Sequence, residues 1–166
     1  LKLLPLPKAQ VDLLSLFAAP QQAISAVTTI MTACGIIPTA VEFIDQQAFQ
    51  ASCQYLNETL PYQQAGAMLL ITLDGASPQQ VQNDYETVGE KCLELGATEV
   101  YVADNPTTSE RIWRIRRSIP EAYNLISQRQ SGEDIVVPPA AIPQLLAKVR
   151  QLAEKYDVLI LSLIHI

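Results

Sequence analysis

Val11-Asp12-Leu13-Leu14-Ser15-Leu16-Phe17-Ala18-Ala19-Pro20 is a nearly continuous apolar strand over Val11–Ala18 that runs straight into a helix start. Pro20 lacks an N–H and has a fixed φ, so it suits the first turn of a helix. No glycine stands at the junction, so no backbone loop is available there to cradle a pyrophosphate. Strand–helix alternation by itself predicts a parallel, Rossmann-type sheet. This junction speaks against that rival.

Working outward, the helix opened by Pro20 carries Ala23, Ile24, Val27, Ile30, Met31 and Cys34 on one side, and Gly35 stops it. Thr39–Ile44 alternates as a strand, with Val41 and Phe43 on one face and Glu42 on the other. Gln46–Leu56 is a short helix, and Asn57–Gly66 is loop-like. Ala67–Leu73 is a buried strand closed by the turn pair Asp74-Gly75. Ser77-Pro78 occupies the cap and first position of the next helix. Its stripe is Val81, Tyr85, Val88, Cys92 and Leu95, and Gly96 ends it. Thr98–Ala103 is a strand. The order over 11–104 is β-α-β-(α)-β-α-β, which predicts an α+β, ferredoxin-like antiparallel sheet with an inserted helix. Helices 20–34 and 78–95 are expected on one face. The opposite face is expected to be covered by protein outside the chain, and left bare it would drive dimerisation.

Residues 105–166 read as a helical segment plus a terminal strand, separate from the ferredoxin-like part at 1–104. Thr107 and Glu110 have capping-box spacing. The following helix buries Ile112, Ile115, Ile119 and Tyr123, and Pro120 must bend or end it. Asp134–Val137 is a short extended run. Pro138-Pro139 opens a helix with Ile142, Leu145, Leu146, Val149 and Leu152 inward, and Val158–Ile164 is the last strand.

Charge narrows the function. The 166 residues carry a net charge of -6, and only 17% of them are charged, below the usual quarter. Between Ala9 and Glu90 there are eight carboxylates and no Lys or Arg. Such a surface repels phosphates, which excludes nucleic-acid binding. Cys34, Cys53 and Cys92 stand apart without CxxC spacing and read as reduced, buried thiols of a cytoplasmic protein. No apolar run approaches the ~20 residues that a membrane span needs. The sequon Asn57-Glu58-Thr59 carries no meaning in that compartment.

Four places carry candidate chemistry. In Trp113-Arg114-Ile115-Arg116-Arg117, a rotation of about 100° per residue puts Arg114 and Arg117 on one side and Arg116 beside Trp113. An Arg next to an apolar stripe suits a carboxylate, since its fork binds both oxygens. The competing reading is a solvated basic face paired with Glu110 and Glu121. Glu133-Asp134 either orients an Arg or caps a turn after Gly132. Glu42 is either exposed or set in a covered interface. His165, the only histidine, ends an apolar strand and by itself is an ordinary packed or exposed side chain. The tail Leu161-Ser162-Leu163-Ile164-His165-Ile166 also reads as a cloning or sequencing scar.

Taken in order, Ala40-Val41-Glu42-Phe43-Ile44-Asp45, Leu69-Leu70-Ile71-Thr72-Leu73-Asp74-Gly75, Trp113-Arg114-Ile115-Arg116, Glu133-Asp134-Ile135-Val136-Val137-Pro138 and Lys155-Tyr156-Asp157 leading to His165 resemble the C-terminal cap domain of FAD-linked oxidases. These include glycolate oxidase FAD-linked subunits, D-lactate dehydrogenases and D-2-hydroxyglutarate dehydrogenases. The resemblance implies that Arg116 contacts a substrate carboxylate and that His165 is the first His of a metal-binding or proton-handling cluster. Glu42 and Asp134 match recurrent acids that support the site. It also implies FAD in the full-length protein, a small 2-hydroxy acid as substrate, a divalent metal, and an FAD-binding domain as partner. The chain is then expected to be a fragment truncated before a His-x-Gly-Asp-Gly-Asn motif, binding no FAD and inactive alone. Two places depart from the pattern: Gly132-Glu133 stands where some relatives carry a basic residue before the acid, and Thr72 stands where relatives often carry Glu. The alternative is a stand-alone ferredoxin-like binding or regulatory module without catalysis.

Overall fold

A computed structural model describes residues 6–60, 65–127 and 129–166. The part of the expected 57–66 loop at 61–64 lies outside the described residues. Strands β1 (Ala9–Phe17), β2 (Ala40–Asp45), β3 (Ala67–Gly75), β4 (Ala97–Ala103) and β5 (Leu163–His165) form one antiparallel sheet in the order β4-β1-β3-β2-β5. The first four strands have the ferredoxin-like order that the βαβ pattern predicts. The last strand adds to the β2 edge of this same sheet. It is shorter than the expected Val158–Ile164, and 158–162 approaches it without strand pairing.

Strand alternation sends residues to two apolar layers. Val11, Leu13, Phe17, Phe43, Leu69 and Ile71 face α1 (Pro20–Thr29), its π-helical continuation Ile30–Cys34 and α3 (Pro78–Glu94). Gly35 closes that continuation at φ +65, a left-handed conformation in which a side chain would be strained. Ile142 and Leu146 of α6 (Ile142–Tyr156) join the same layer.

The second face corrects an expectation. Leu14, Leu16, Ile44, Met68 and Leu70 are covered by this chain itself, through α2 (Gln46–Tyr55), α4 (Pro106–Arg117) and α5 (Ile119–Ile126). Phe49, Cys53, Ile112, Ile115 and Ile119 fill the layer. The apolar face expected to await a missing partner, or to drive dimerisation, is therefore already occupied. The physical reason is that the segment after β4 folds back over the sheet as α4 and α5, in addition to the two long helices of the βαβ units on the other face.

Local signals explain the element ends. Asp45 caps α2 by accepting from Ala48 N–H at 2.8 Å, and Ser77 caps α3 by accepting from Gln80 N–H at 3.2 Å. The cap of α4 is Asn105, which accepts from Thr108 N–H at 2.9 Å, so the helix starts earlier than a Thr107–Glu110 box requires. Pro106 at its first position is compatible with that cap. Pro120 ends the helical run as expected: α4 stops at Arg117 and α5 restarts at Ile119. Asp134–Val137 forms no strand and is mostly exposed.

Candidate functional site

Polar groups on the second face gather under α4. Its apolar side holds Ile112 and Ile115 against the sheet, leaving Arg114 and Arg117 exposed and Arg116 half-buried. The helix-face argument thus places the three arginines as expected. Arg117 pairs with Glu110 on the surface, and Arg111 pairs with Glu58 at 2.6 Å. The Arg111 guanidinium holds the Glu58 carboxyl below its usual value through that hydrogen bond.

Arg116 turns inward. Its Nη2 donates to Glu42 Oε2 at 2.9 Å, and its Nε is buried with no hydrogen-bond partner. Glu42 is 5% exposed and lies on β2 in the row of Leu70 and His165. Its other oxygen, Oε1, is 3.0 Å from His165 Nδ1, whose side chain is 66% exposed. Three of the four sequence-predicted residues therefore meet: Glu42, Arg116 and His165. Asp134 does not join them. It is exposed on the 129–138 segment, which has no regular structure.

Trp113 and Tyr123 pack at the edge of the same layer. Burial pushes the Tyr123 phenol up to about 12, with the Asp45 charge adding to the rise and Arg116 opposing it. Asp45 is raised above its ordinary 3.8, chiefly by burial, although backbone N–H groups of Ala48 and Ser162 stabilise its charge.

A second polar cluster was not foreseen. Asp12, 1% exposed, accepts from Thr72 Oγ1 at 2.5 Å and from Ser109 Oγ. Thr72 stands directly opposite it in the β1–β3 register. An Asp inside an otherwise apolar strand was the available signal. Nearby, Ser52 Oγ on α2 donates to the Ile115 carbonyl at 2.5 Å, satisfying an oxygen near the end of α4.

The chemistry open to these groups is anion binding by a half-desolvated guanidinium, with a buried carboxylate fixing its direction. Among the described residues, no group of three or more His, Cys, Asp or Glu is arranged to hold a metal ion. His165 and Glu42 supply two donors, so the divalent metal implied by the resemblance finds no support in this geometry. None of the described helices is long and apolar enough to cross a membrane.

Comparison with known proteins gives a consistent picture. Residues 6–166 match the family model "FAD linked oxidases, C-terminal domain". Glycolate oxidase subunit GlcD of Escherichia coli strain K12 is 33% identical over 164 residues, covering 99% of this chain and 32% of that protein. D-lactate dehydrogenase of Anaerostipes hadrus is 28% identical over 170 residues, covering 99% of this chain and 36% of that protein. The chain thus spans about a third of the length of these relatives. Among solved structures, an alkyldihydroxyacetonephosphate synthase superposes with a TM-score of 0.63 at 20% identity, over 90% of this chain and 31% of that one. This last likeness concerns the fold.

Proposed function

The chain belongs to the family of FAD linked oxidases, C-terminal domain, and on that premise we propose that it is the substrate-binding cap of an FAD-dependent oxidoreductase. Its substrates are small 2-hydroxy acids of the glycolate or D-lactate type. The relatives named glycolate oxidase subunit and D-lactate dehydrogenase support this substrate class. The remaining two thirds of such a protein would supply the FAD-binding domain.

The observation that carries the reading is Arg116. One carboxylate, Glu42, engages Nη2 and leaves most of a five-donor fork unfilled. A half-buried guanidinium of this kind binds a planar anion more strongly than an exposed one. Glu42 orients the fork, and Trp113 and Tyr123 limit the water around it. Asp134 is proposed only as a supporting acid brought in when the 129–138 segment meets the rest of the protein.

FAD is implied for the intact protein by the family, but the β1–α1 junction does not fit its pyrophosphate. At the end of β1, a Cβ at Gly66 would lie 2.0 Å from the Ala18 carbonyl oxygen, so two backbones already fill that space. The Ala19 N–H at the start of α1 is taken by Gln22 Oε1 at 3.2 Å. The role proposed for this chain is substrate binding.

His165 is proposed as the proton-handling group on the resemblance, and that assignment requires Leu161–Ile166 to be genomically encoded. Sequencing the genome past Ile160 tests it: a scar sequence removes His165 and leaves Glu42 and Arg116 in place. Three free thiols, Cys34, Cys53 and Cys92, support a cytoplasmic setting.

The deciding experiment uses the full-length protein and an artificial electron acceptor dye. Glycolate or D-lactate should reduce the dye, whereas propane-1,2-diol, which has the hydroxyl without the carboxylate, should not. Equal rates with the diol would overturn the role given to Arg116.

A further inference from the structure

Asp12 is buried and forms no ion pair among the described residues; its two hydrogen bonds come from the hydroxyls of Thr72 and Ser109. Such a group is a poor source of stability, because desolvating a carboxylate costs several kcal/mol before its hydrogen bonds offset it. Leu14 and Leu16, two and four residues on, fill the same face with apolar bulk. What Asp12 supplies in place of bulk is direction.

Ser109 lies in the first turn of α4 and Arg116 in its last. They are seven residues apart, which puts them on the same side of the helix, about 10.5 Å apart along its axis. Beneath them, Asp12 on β1 and Glu42 on β2 point to the same face of the sheet and are separated by β3. Two strand spacings amount to about 9–10 Å, and the two-residue offset from Thr72 to Leu70 adds about 6–7 Å along the strands, so the two positions lie about 12 Å apart. The helix therefore spans from one carboxylate to the other, and its two ends are held by Asp12–Ser109 and Glu42–Arg116.

We propose that Asp12, acting through Ser109, is the positioning residue for Arg116: it fixes the lateral placement of α4 and thereby the point at which the guanidinium meets its anion. This rests on the reading of Arg116 as the carboxylate-binding residue. Ile112 and Ile115 seat α4 on the sheet, and Glu42 holds its C-terminal end through Arg116. The Asp12–Ser109 contact adds a directional hold at the N-terminal end, and Thr72 holds the Asp12 carboxylate from the opposite strand.

Two measurements separate this inference from the function it serves. In this chain, NMR follows the side-chain N–H signals of Arg116 and their hydrogen exchange in Ser109→Ala, Ser109→Thr, Asp12→Asn and Ile24→Val. Ile24 packs on the other face of the sheet. Ser109→Ala and Asp12→Asn should shift the Arg116 signals and speed their exchange, Ser109→Thr should restore them, and Ile24→Val should lower the melting temperature alone. In the full-length protein, Ser109→Ala should lower kcat/KM by on the order of tenfold to a hundredfold, the effect of a small misplacement. Most of that loss should appear in KM, with recovery in Ser109→Thr. Unchanged Arg116 signals in both Ser109→Ala and Asp12→Asn would overturn the positioning role. Shifted signals with unchanged kinetics would support the positioning role and sink the reading of Arg116 as the substrate's anchor.

Discussion

Glu42 and Arg116, 74 residues apart in sequence, form a 2.9 Å ion pair between β2 and the last turn of α4. The pair is unequal. The Glu42 side chain is 6% exposed and that of Arg116 21%, so the carboxylate is the more deeply committed partner. Any role of Arg116 toward a substrate is superimposed on a structural one, and its substitutions must be read on both scales.

The structural scale comes first. Arg116→Ala leaves Glu42 buried without its cation. Removing one partner of a buried pair destabilises by about 3–5 kcal/mol, and partial exposure of Arg116 places this one near the lower end. Urea unfolding of the variant should show it. Glu42→Gln, which keeps the shape and drops the charge that needs a partner, should be milder than Glu42→Ala. Equal loss in both would mean that packing, and not charge, holds the contact.

On the kinetic scale, with rates normalised to folded protein, Arg116→Ala in the full-length enzyme should reduce kcat/KM by an equivalent of about 2–5 kcal/mol. Arg116→Lys should recover little, because an ammonium cannot reproduce the fork. Arg114 is exposed, and its loss should stay within about tenfold of wild type. A larger effect at Arg114 than at Arg116 would reject the helix-face assignment.

Phe49 tests the covering of the second face. It is 1% exposed on α2 and packs in the layer formed with Ile112, Ile115 and Ile119. Truncating a buried Phe removes about 3–5 kcal/mol. Phe49→Ala should lose that much in this chain alone, by thermal or urea unfolding. Were the face open until another protein covered it, the same substitution would cost little here.

Much of this architecture is legible in the sequence, because period-2 and period-3.6 patterns are local. Val11–Ala18, Thr39–Ile44, Ala67–Leu73 and Thr98–Ala103 mark the four ferredoxin-like strands within a few residues, and Pro20, Gly35, Ser77 and Pro120 mark helix ends. The destination of α4 and α5 was not legible, since nothing local says which face of the sheet a later helix will cover. For the same reason the place of Arg116 beside the apolar stripe is legible, while its pairing with Glu42 is not. Asp12 has no local signature of its role, because Val11, Leu13, Leu14, Leu16 and Phe17 make the strand nearly uniformly apolar. The 158–162 approach to β5 misled by composition: Val158, Leu159 and Ile160 look strand-like yet remain 40–56% exposed.

Gly66 makes a sharper stability test than any core residue. A Cβ there would stand 2.0 Å from the Ala18 carbonyl oxygen and 2.8 Å from its carbon, both backbone atoms that cannot rotate away. Overpacking against movable side chains typically costs about 1–3 kcal/mol. A backbone obstacle should put Gly66→Ala at or above the top of that range. Gly132→Ala, where nothing lies within 4 Å, is the matched control and should be near neutral. Comparable melting temperatures for the two variants would show that the Ala18–Gly66 approach is not close in solution.

Asp45 gives the pH dependence a definite sign. Burial raises its carboxyl above 3.8, against the opposing effects of Ala48 N–H, Ser162 N–H and the Arg150 charge. A carboxyl with a folded pKa above its unfolded one binds more protons in the folded state over the intervening window. Folding stability from this group therefore falls as pH rises through that window, which begins in the ordinary carboxylate range near about 4 and extends upward. Asp45→Asn cannot titrate. It keeps an oxygen for Ala48 N–H but sets an amide against Ser162 N–H, so its absolute stability carries an offset. The pH dependence of the difference is the useful quantity. Tyr123 titrates at about 12, far above the window, so it adds nothing there. Wild-type stability minus Asp45→Asn stability, measured by urea unfolding from pH 3.5 to pH 7, should decline with rising pH. A flat or rising difference would mean that the capping hydrogen bonds outweigh desolvation and that Asp45 titrates at or below its ordinary value.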